Sequence, residues 1–160
     1  MLEHIFNLIL DSVGSLFKVV DIYNPNRQNE PFDTPACMVE FRQIQLENYL
    51  DKMQGTTMDI ILHLYIDELN TYTGKSKDSN FQMLKLVDDT HKSLEGKRKT
   101  DVVVQNSPIT RTGFNIGTKE GNVRHITSIY RTYVWDSSLS EEFGELTEYL
   151  VSEEVTIDKV

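Results

Sequence analysis

The sequence predicts an α+β fold, an antiparallel or mixed β-sheet with helices packed on one face. Two runs carry period-two alternation, Met58 to Ile66 and Val123 to Asp136, and two others carry helical spacing, Leu2 to Val13 and Phe81 to Leu94. These segments follow one another as helix, strand, strand, strand, helix, strand, without the regular strand-helix alternation of a parallel sheet.

Leu2, Ile5, Phe6, Ile9 and Val13 line one face of the opening helix, and Gly14 just beyond it is the expected stop. Leu16 to Tyr23 then turns to Phe17, Val19, Val20 and Ile22, a β-favouring run that ends at Asn24-Pro25-Asn26. The stretch to Pro35 holds Pro25, Pro31 and Pro35 and reads as a surface loop. Two strands follow as a hairpin. Cys37, Val39 and Phe41 alternate in the first; in the second, Met58, Ile60, Leu62, Leu64 and Ile66 share one face and Thr57, Asp59, His63, Tyr65 and Asp67 the other. Their connection, about Leu46 to Gly55, is longer than a tight turn, so the buried faces set the register and the tip is expected to project.

Asp78 or Ser79 followed by Gln82 has the form of a capping box, after which Phe81, Leu84, Val87, His91 and Leu94 fall on one helical face as far as Gly96. Val102 to Val104 reads as a short strand. Gln105 to Asn122, rich in Gly, Asn, Thr and Ser, reads as a long loop. In the last strand, Ile126, Ser128, Tyr130, Thr132 and Val134 alternate with Thr127, Ile129, Arg131, Tyr133 and Trp135. Beyond it come Glu141, Glu142, Glu145, Glu148, Glu153 and Glu154. The expected division is one α+β domain over 1–138 and an acidic C-terminal extension over 139–160, a segment that orders against a partner.

Composition excludes several classes. A chain of 160 residues, 39% apolar, with eight glycines and four prolines, suits one domain. No run reaches the ~18 uninterrupted apolar residues of a membrane span, because Asn7, Asp11 and Ser12 break the most apolar one. Glu3 and His4 stand where a secretion signal carries basic residues, so the start is expected to belong to the fold. The single cysteine, Cys37, suits a reducing compartment. Sixteen Lys+Arg against 25 Asp+Glu give a net charge of −9, which disfavours a sequence-specific nucleic-acid reader.

No catalytic constellation emerges, and the expectation is a non-enzymatic protein with no catalytic residues, cofactor or metal. Gly74-Lys75-Ser76 lies between a strand and a helix as a phosphate-binding loop does, but Leu69 occupies the position of the first glycine. His63 and Asp67 share a strand face at roughly 13 Å, too far for one ion. Asp88 and His91 lie one helical turn apart without further ligands in sequence. Cys37 alternates into a buried face as a small hydrophobe, and His4, His63, His91 and His125 are scattered. Lys97-Arg98-Lys99 suits the negative end of a helix dipole. Trp135, Tyr133, Tyr130 and Phe114 are of the residue type enriched in protein interfaces, and core packing is the equal alternative for them.

Pro35-Ala36-Cys37-Met38-Val39-Glu40-Phe41, followed by Gln54-Gly55-Thr56-Thr57-Met58-Asp59-Ile60-Ile61-Leu62-His63-Leu64-Tyr65-Ile66-Asp67, resembles the paired strands of small neck and tail proteins of tailed bacteriophages. The helix at Phe81 to Leu94 and the closing Tyr130-Arg131-Thr132-Tyr133-Val134-Trp135-Asp136 are similar to theirs as well. The resemblance implies a virion structural protein of tail-terminator or tail-completion type, assembled in the host cytoplasm into a hexameric or dodecameric ring at the head-tail connection. Its implied partners are copies of itself and other neck or tail-tube proteins, not a membrane. Arg111, Phe114, Arg131, Tyr133 and Trp135 are the expected subunit contacts. An acidic wall would also suit a channel through which DNA slides without sticking. The rival reading is a cytoplasmic adaptor for a single protein partner, and a weaker one a nucleotide-binding enzyme or hydrolase.

Overall fold

The computed structural model describes residues 1–27, 32–50, 53–67, 76–99, 104–120 and 123–136, with side chains except those of 27, 43–50, 53, 76–81 and 118–120. Helix α1 spans Leu2–Val13 and α2 spans Ser76–Leu94. Strands β1 (Val19–Ile22), β2 (Ala36–Leu50), β3 (Met53–Asp67), β4 (Val104–Asn106), β5 (Thr110–Glu120) and β6 (Val123–Asp136) form one mixed sheet. Its order is β1-β2-β3-β6, with β4 and β5 both paired to the remaining side of β6; β1 runs parallel to β2 and the other pairings are antiparallel. The expected α+β class, with helices on one face, is the class observed.

Alternation decides which face the helices cover. Leu64, Leu62 and Ile60 of β3 stand opposite Cys37, Val39 and Phe41 on one side and Ile126, Ser128 and Tyr130 on the other. Against this face pack Ile5, Ile9 and Val13 of α1 and Met83, Val87 and Leu94 of α2. Ile5, Ile9 and Ile60 are each fully buried, and burial of such a side chain contributes about 1.5–3 kcal/mol. Cys37 lies in this core as expected, and burial pushes its thiol up to about 12.

Several expectations are corrected. Helix α1 ends at Val13 with Gly14 as its C-cap, as expected, but Gly14 takes a right-handed conformation and leads into a 3₁₀ turn, Gly14–Leu16. The hairpin strands continue until Leu50 faces Met53, and β6 accompanies β3 as far as Gln54, so most of the expected connection is strand; the tip between Leu50 and Met53 lies outside the described residues. Extra residues in β2, between Arg42 and Gln45 and between Asn48 and Leu50, bend this part of the sheet.

Helix α2 begins at Ser76, ahead of the expected cap. Its buried stripe is Met83, Val87, Thr90 and Leu94; Leu84 is exposed and His91 only half-buried. Thr90 tolerates burial because its hydroxyl donates to the Leu86 carbonyl at 2.7 Å. At Gly96 the expected stop is present, with φ +73°.

The largest correction is Gln105 to Asn122, expected as a loop. It is mostly strand: β4 and β5 lie end to end along β6, interrupted at Ser107 to Ile109. Its glycines mark close approach, not looseness. A Cβ at Gly117 would lie 2.8 Å from the His125 carbonyl oxygen, and one at Gly113 would lie 3.3 Å from Ile129 Cδ1. The interruption turns inward. Ile109 is fully buried, its N–H donates to Lys97 O at 2.9 Å, and its carbonyl accepts from Gly96 N–H at 2.8 Å. The 139–160 extension and Gly74-Lys75 lie outside the described residues.

Candidate functional site

The face of the sheet turned away from the helices carries the polar and aromatic residues that alternation removes from the core. Register sets Asp59 opposite Arg131 and Tyr65 opposite His125, and places His63 diagonal to both Glu40 on β2 and His125 on β6. Glu40, His63 and His125 thereby meet in a row across three strands. His63 Nε2 lies 2.8 Å from Glu40 Oε2, and His63 Nδ1 lies 3.0 Å from His125 Nε2. With Glu40 ionised, His63 donates from Nε2 to the carboxylate, which leaves Nδ1 to accept the Nε2–H of His125.

Aromatic rings clamp this row. Tyr23 stacks on His63 at 4.0 Å between centroids, His63 on His125 at 5.2 Å, and His125 on Tyr65 at 4.8 Å, all within 11° of parallel. Phe32 meets Tyr65 edge-on at 4.9 Å. The ladder ties the segment after β1 to the middle of the sheet and covers the imidazole of His63, which is 6% exposed. Burial lowers the affinity of His63 for a proton below the ordinary histidine value, and the hydrogen bond and charge of Glu40 recover only part of it. Burial works in the opposite sense on Glu40, but hydrogen bonds and charge from Arg42 and His63 outweigh it and hold that carboxyl below its usual range. Arg42 Nε donates to Glu40 Oε1 at 2.6 Å.

Such a chain can hold or relay a proton. Cys37 is not part of it: it projects from the opposite face of the sheet, into the core. Among the described residues no group of three or more His, Cys, Asp or Glu is placed to hold a metal ion. Asp88 and His91 are therefore not joined by further ligands there, and His91 Nδ1 instead faces Glu95 at 3.5 Å.

The expected contact residues separate into two surfaces. Arg131, Tyr133 and Trp135 stand on the outer face of β6. Arg131 binds Asp59 in a two-pronged pair, Nε to Oδ1 at 2.7 Å and Nη2 to Oδ2 at 3.1 Å, while the rings of Tyr133 and Trp135 lie 4.5 Å apart. Arg111 and Phe114 belong to β5, opposite Tyr130 and Ser128, so they share the helix-side face of the sheet. There the sheet outruns its cover: Phe114 is 42% and Ile116 45% exposed. Lys97-Arg98-Lys99 is exposed at its side chains and fixed at its backbone, Lys99 N–H donating to Asn106 Oδ1 at 2.9 Å and Asn106 N–H to Lys99 O at 3.3 Å.

The Glu40–His63–His125 row and the buried Asn106 are absent from the sequence-based candidates. A signal for the row exists in the pairing of charges: setting Asp59 against Arg131 in antiparallel strands fixes the β3–β6 register and brings His63 beside His125.

No protein-family model matches this chain, and no curated protein does. Among solved structures, the chain is similar to one titled "Virion of native gene transfer agent (GTA) particle", at 13% identity and a TM-score of 0.45, over 79% of this chain and 84% of that one. A likeness this distant assigns no role.

Proposed function

We propose that this chain is a structural virion protein of a tailed bacteriophage or phage-like particle, a subunit that works by assembling with copies of itself into a ring at the head-tail connection. The observation that carries the reading is the uncovered end of the sheet: a rigid six-stranded layer whose β5 margin presents Phe114 and Ile116 to solvent on the helix side. Arg131, Tyr133 and Trp135 offer a second contact surface on the outer face. Two separate surfaces let each subunit meet more than one neighbour, as a closed assembly requires. The resemblance of β2, β3 and β6 to phage neck and tail proteins supports the same reading. Residues 139–160 would then meet a neighbour, with 1–138 as the assembling domain.

Native mass spectrometry of the purified protein, alone and mixed with tail tubes or connectors, tests this. The expected result is a closed ring of one stoichiometry, formed in solution or only on the tube. A solitary chain that never assembles under either condition would overturn the reading.

A further inference from the structure

We infer that β5 is a self-pairing edge, through which two copies of this chain join their sheets about a two-fold axis passing at Asn115. The inference rests on the assembly reading and specifies one contact within it. Residues Thr112-Gly113-Phe114-Asn115-Ile116-Gly117-Thr118 are symmetric in residue type about their centre. A two-fold axis demands that a surface complement itself, and antiparallel pairing about Asn115 answers that demand position by position. Thr112 meets the partner's Thr118, Gly113 the partner's Gly117, and Phe114 the partner's Ile116.

Each of these pairs suits its place. Phe114 and Ile116 occupy the same face, opposite Ser128 and Ile126, and are the exposed apolar residues of the strand. Paired across the axis they would form two aromatic–β-branched cross-strand contacts, a favourable combination in sheets. Gly113 and Gly117 already approach β6 closely on the other face, so no bulky side chain obstructs a neighbour there. Among the described residues β5 pairs only with β6, which leaves alternate amides and carbonyls of its other side for a second strand. Two-fold pairing at the centre works whichever alternate set faces outward, because Phe114 and Ile116, placed symmetrically about Asn115, belong to the same set.

The local structure also bounds the contact. The Arg111 N–H is already taken by Glu95 Oε2 at 2.9 Å, and register shifts lie between Arg111 and Gly113 and between Ile116 and Lys119. The strand is regular over Gly113 to Ile116, which centres the pairing on Asn115 with Phe114 and Ile116 beside it, and Arg111 need not face the partner's Lys119 in a ladder. In a ring, this isologous contact would join two rings back to back, giving dihedral symmetry, while the ring itself closes through other surfaces.

Cross-linking of the full chain tests the axis. Opposed residues of an antiparallel pair have Cα atoms about 4.5–5.5 Å apart, within disulfide range. Asn115→Cys should therefore oxidise to a covalent dimer, with a doubling of mass. Phe114→Cys should not, because it lies two residues out of line with its own copy, roughly 8 Å away. Mixing Phe114→Cys with Ile116→Cys should restore the link. Cys37 is buried and stays out of the reaction. Without cross-linking, Phe114→Asp should abolish the two-fold dimer in sedimentation at unchanged thermal midpoint. Equal linking of Asn115→Cys and Phe114→Cys overturns the axis. A reduced monomer in which both alternate sets of the Gly113 to Gly117 amides exchange slowly, the outward set as well as the set bonded to β6, also overturns it, since the edge is then covered by the chain's own residues. If Asn115→Cys fails to link while the unmodified chain still sediments as a ring, the pairing falls and the assembly reading stands; if neither forms, both fall.

Discussion

Asn106 offers the sharpest test of how the interrupted strand is held. It is 3% exposed; its Oδ1 accepts from Lys99 N–H at 2.9 Å, and its Nδ2 donates to Ser107 O at 2.7 Å, with longer approaches to Lys97 O at 3.4 Å and Thr132 Oγ1 at 3.5 Å. In Asn106→Ala the two short bonds are lost. Ser107 O keeps a partner, because Thr132 Oγ1 donates to it at 2.7 Å, and Lys99 lies in an exposed stretch where water can reach its amide. Full penalties for orphaned groups therefore do not apply, and the cost is about 2 kcal/mol at ~1 kcal/mol per bond. For a domain of this size that lowers the thermal midpoint by roughly 4–8 °C. Urea titration with an unchanged slope is the second readout. Asn106→Asp keeps the acceptor for Lys99 but turns a carboxylate oxygen toward the Ser107 carbonyl. It should cost more than alanine at pH 7 and lose that excess, relative to the parent at equal pH, as the acid protonates. A cost below about 0.5 kcal/mol for alanine, the value of an ordinary surface position, would refute the claim that this side chain fixes the β4–β5 junction.

Acid should unfold the protein in two stages. His63 has a lowered folded value, so its neutral form is favoured by folding; stability is complete above the ordinary value of 6.5 and declines as pH falls through it, because the unfolded chain binds the proton first. Glu40 is also lowered, so its contribution is present above its ordinary value of 4.5 and is lost as pH falls further. Urea midpoints from pH 8 to 5 should fall in the wild type and fall less in His63→Gln; equal slopes would remove His63 as the cause. Gly117→Ala should destabilise by about 1–3 kcal/mol in thermal melts, since its Cβ would press on a backbone oxygen. Gly113→Ala meets only the end of the Ile129 side chain and should cost less; the reverse order would contradict the β5 register.

The parts of this fold legible from sequence are those whose pattern is decided locally. β3 and β6 keep one face buried through their middles, and the buried set on β6, Ile126, Ser128, Tyr130, Thr132 and Val134, is the alternating set read from it. What escaped depends on neighbours distant in the chain. Gly113, Asn115 and Gly117 carry loop-like propensities, and only the approach of Ile129 and His125 turns the glycines into strand positions. In α2, Thr90 buries a hydroxyl by bonding it within the helix, so a stripe drawn through apolar residues alone selects Leu84 and misses the true face. His63 and His125 look unrelated until antiparallel register makes them diagonal neighbours.

The same register argument explains why the two faces of this sheet suit different tasks. Every residue that β3 and β6 withdraw from the helix side must be accommodated on the other, and here polar groups are satisfied internally: Arg131 by Asp59, His63 by Glu40 and His125. A face whose charges are paired in this way is rigid, because a satisfied polar network holds its members in one arrangement. Phe114 and Ile116 break that pattern, since two exposed apolar side chains on an edge strand carry a cost in solubility and aggregation that a monomer has no reason to keep. Their symmetric placement about Asn115 makes them complementary to each other across an axis, so the feature that is a liability in one chain becomes a contact in two.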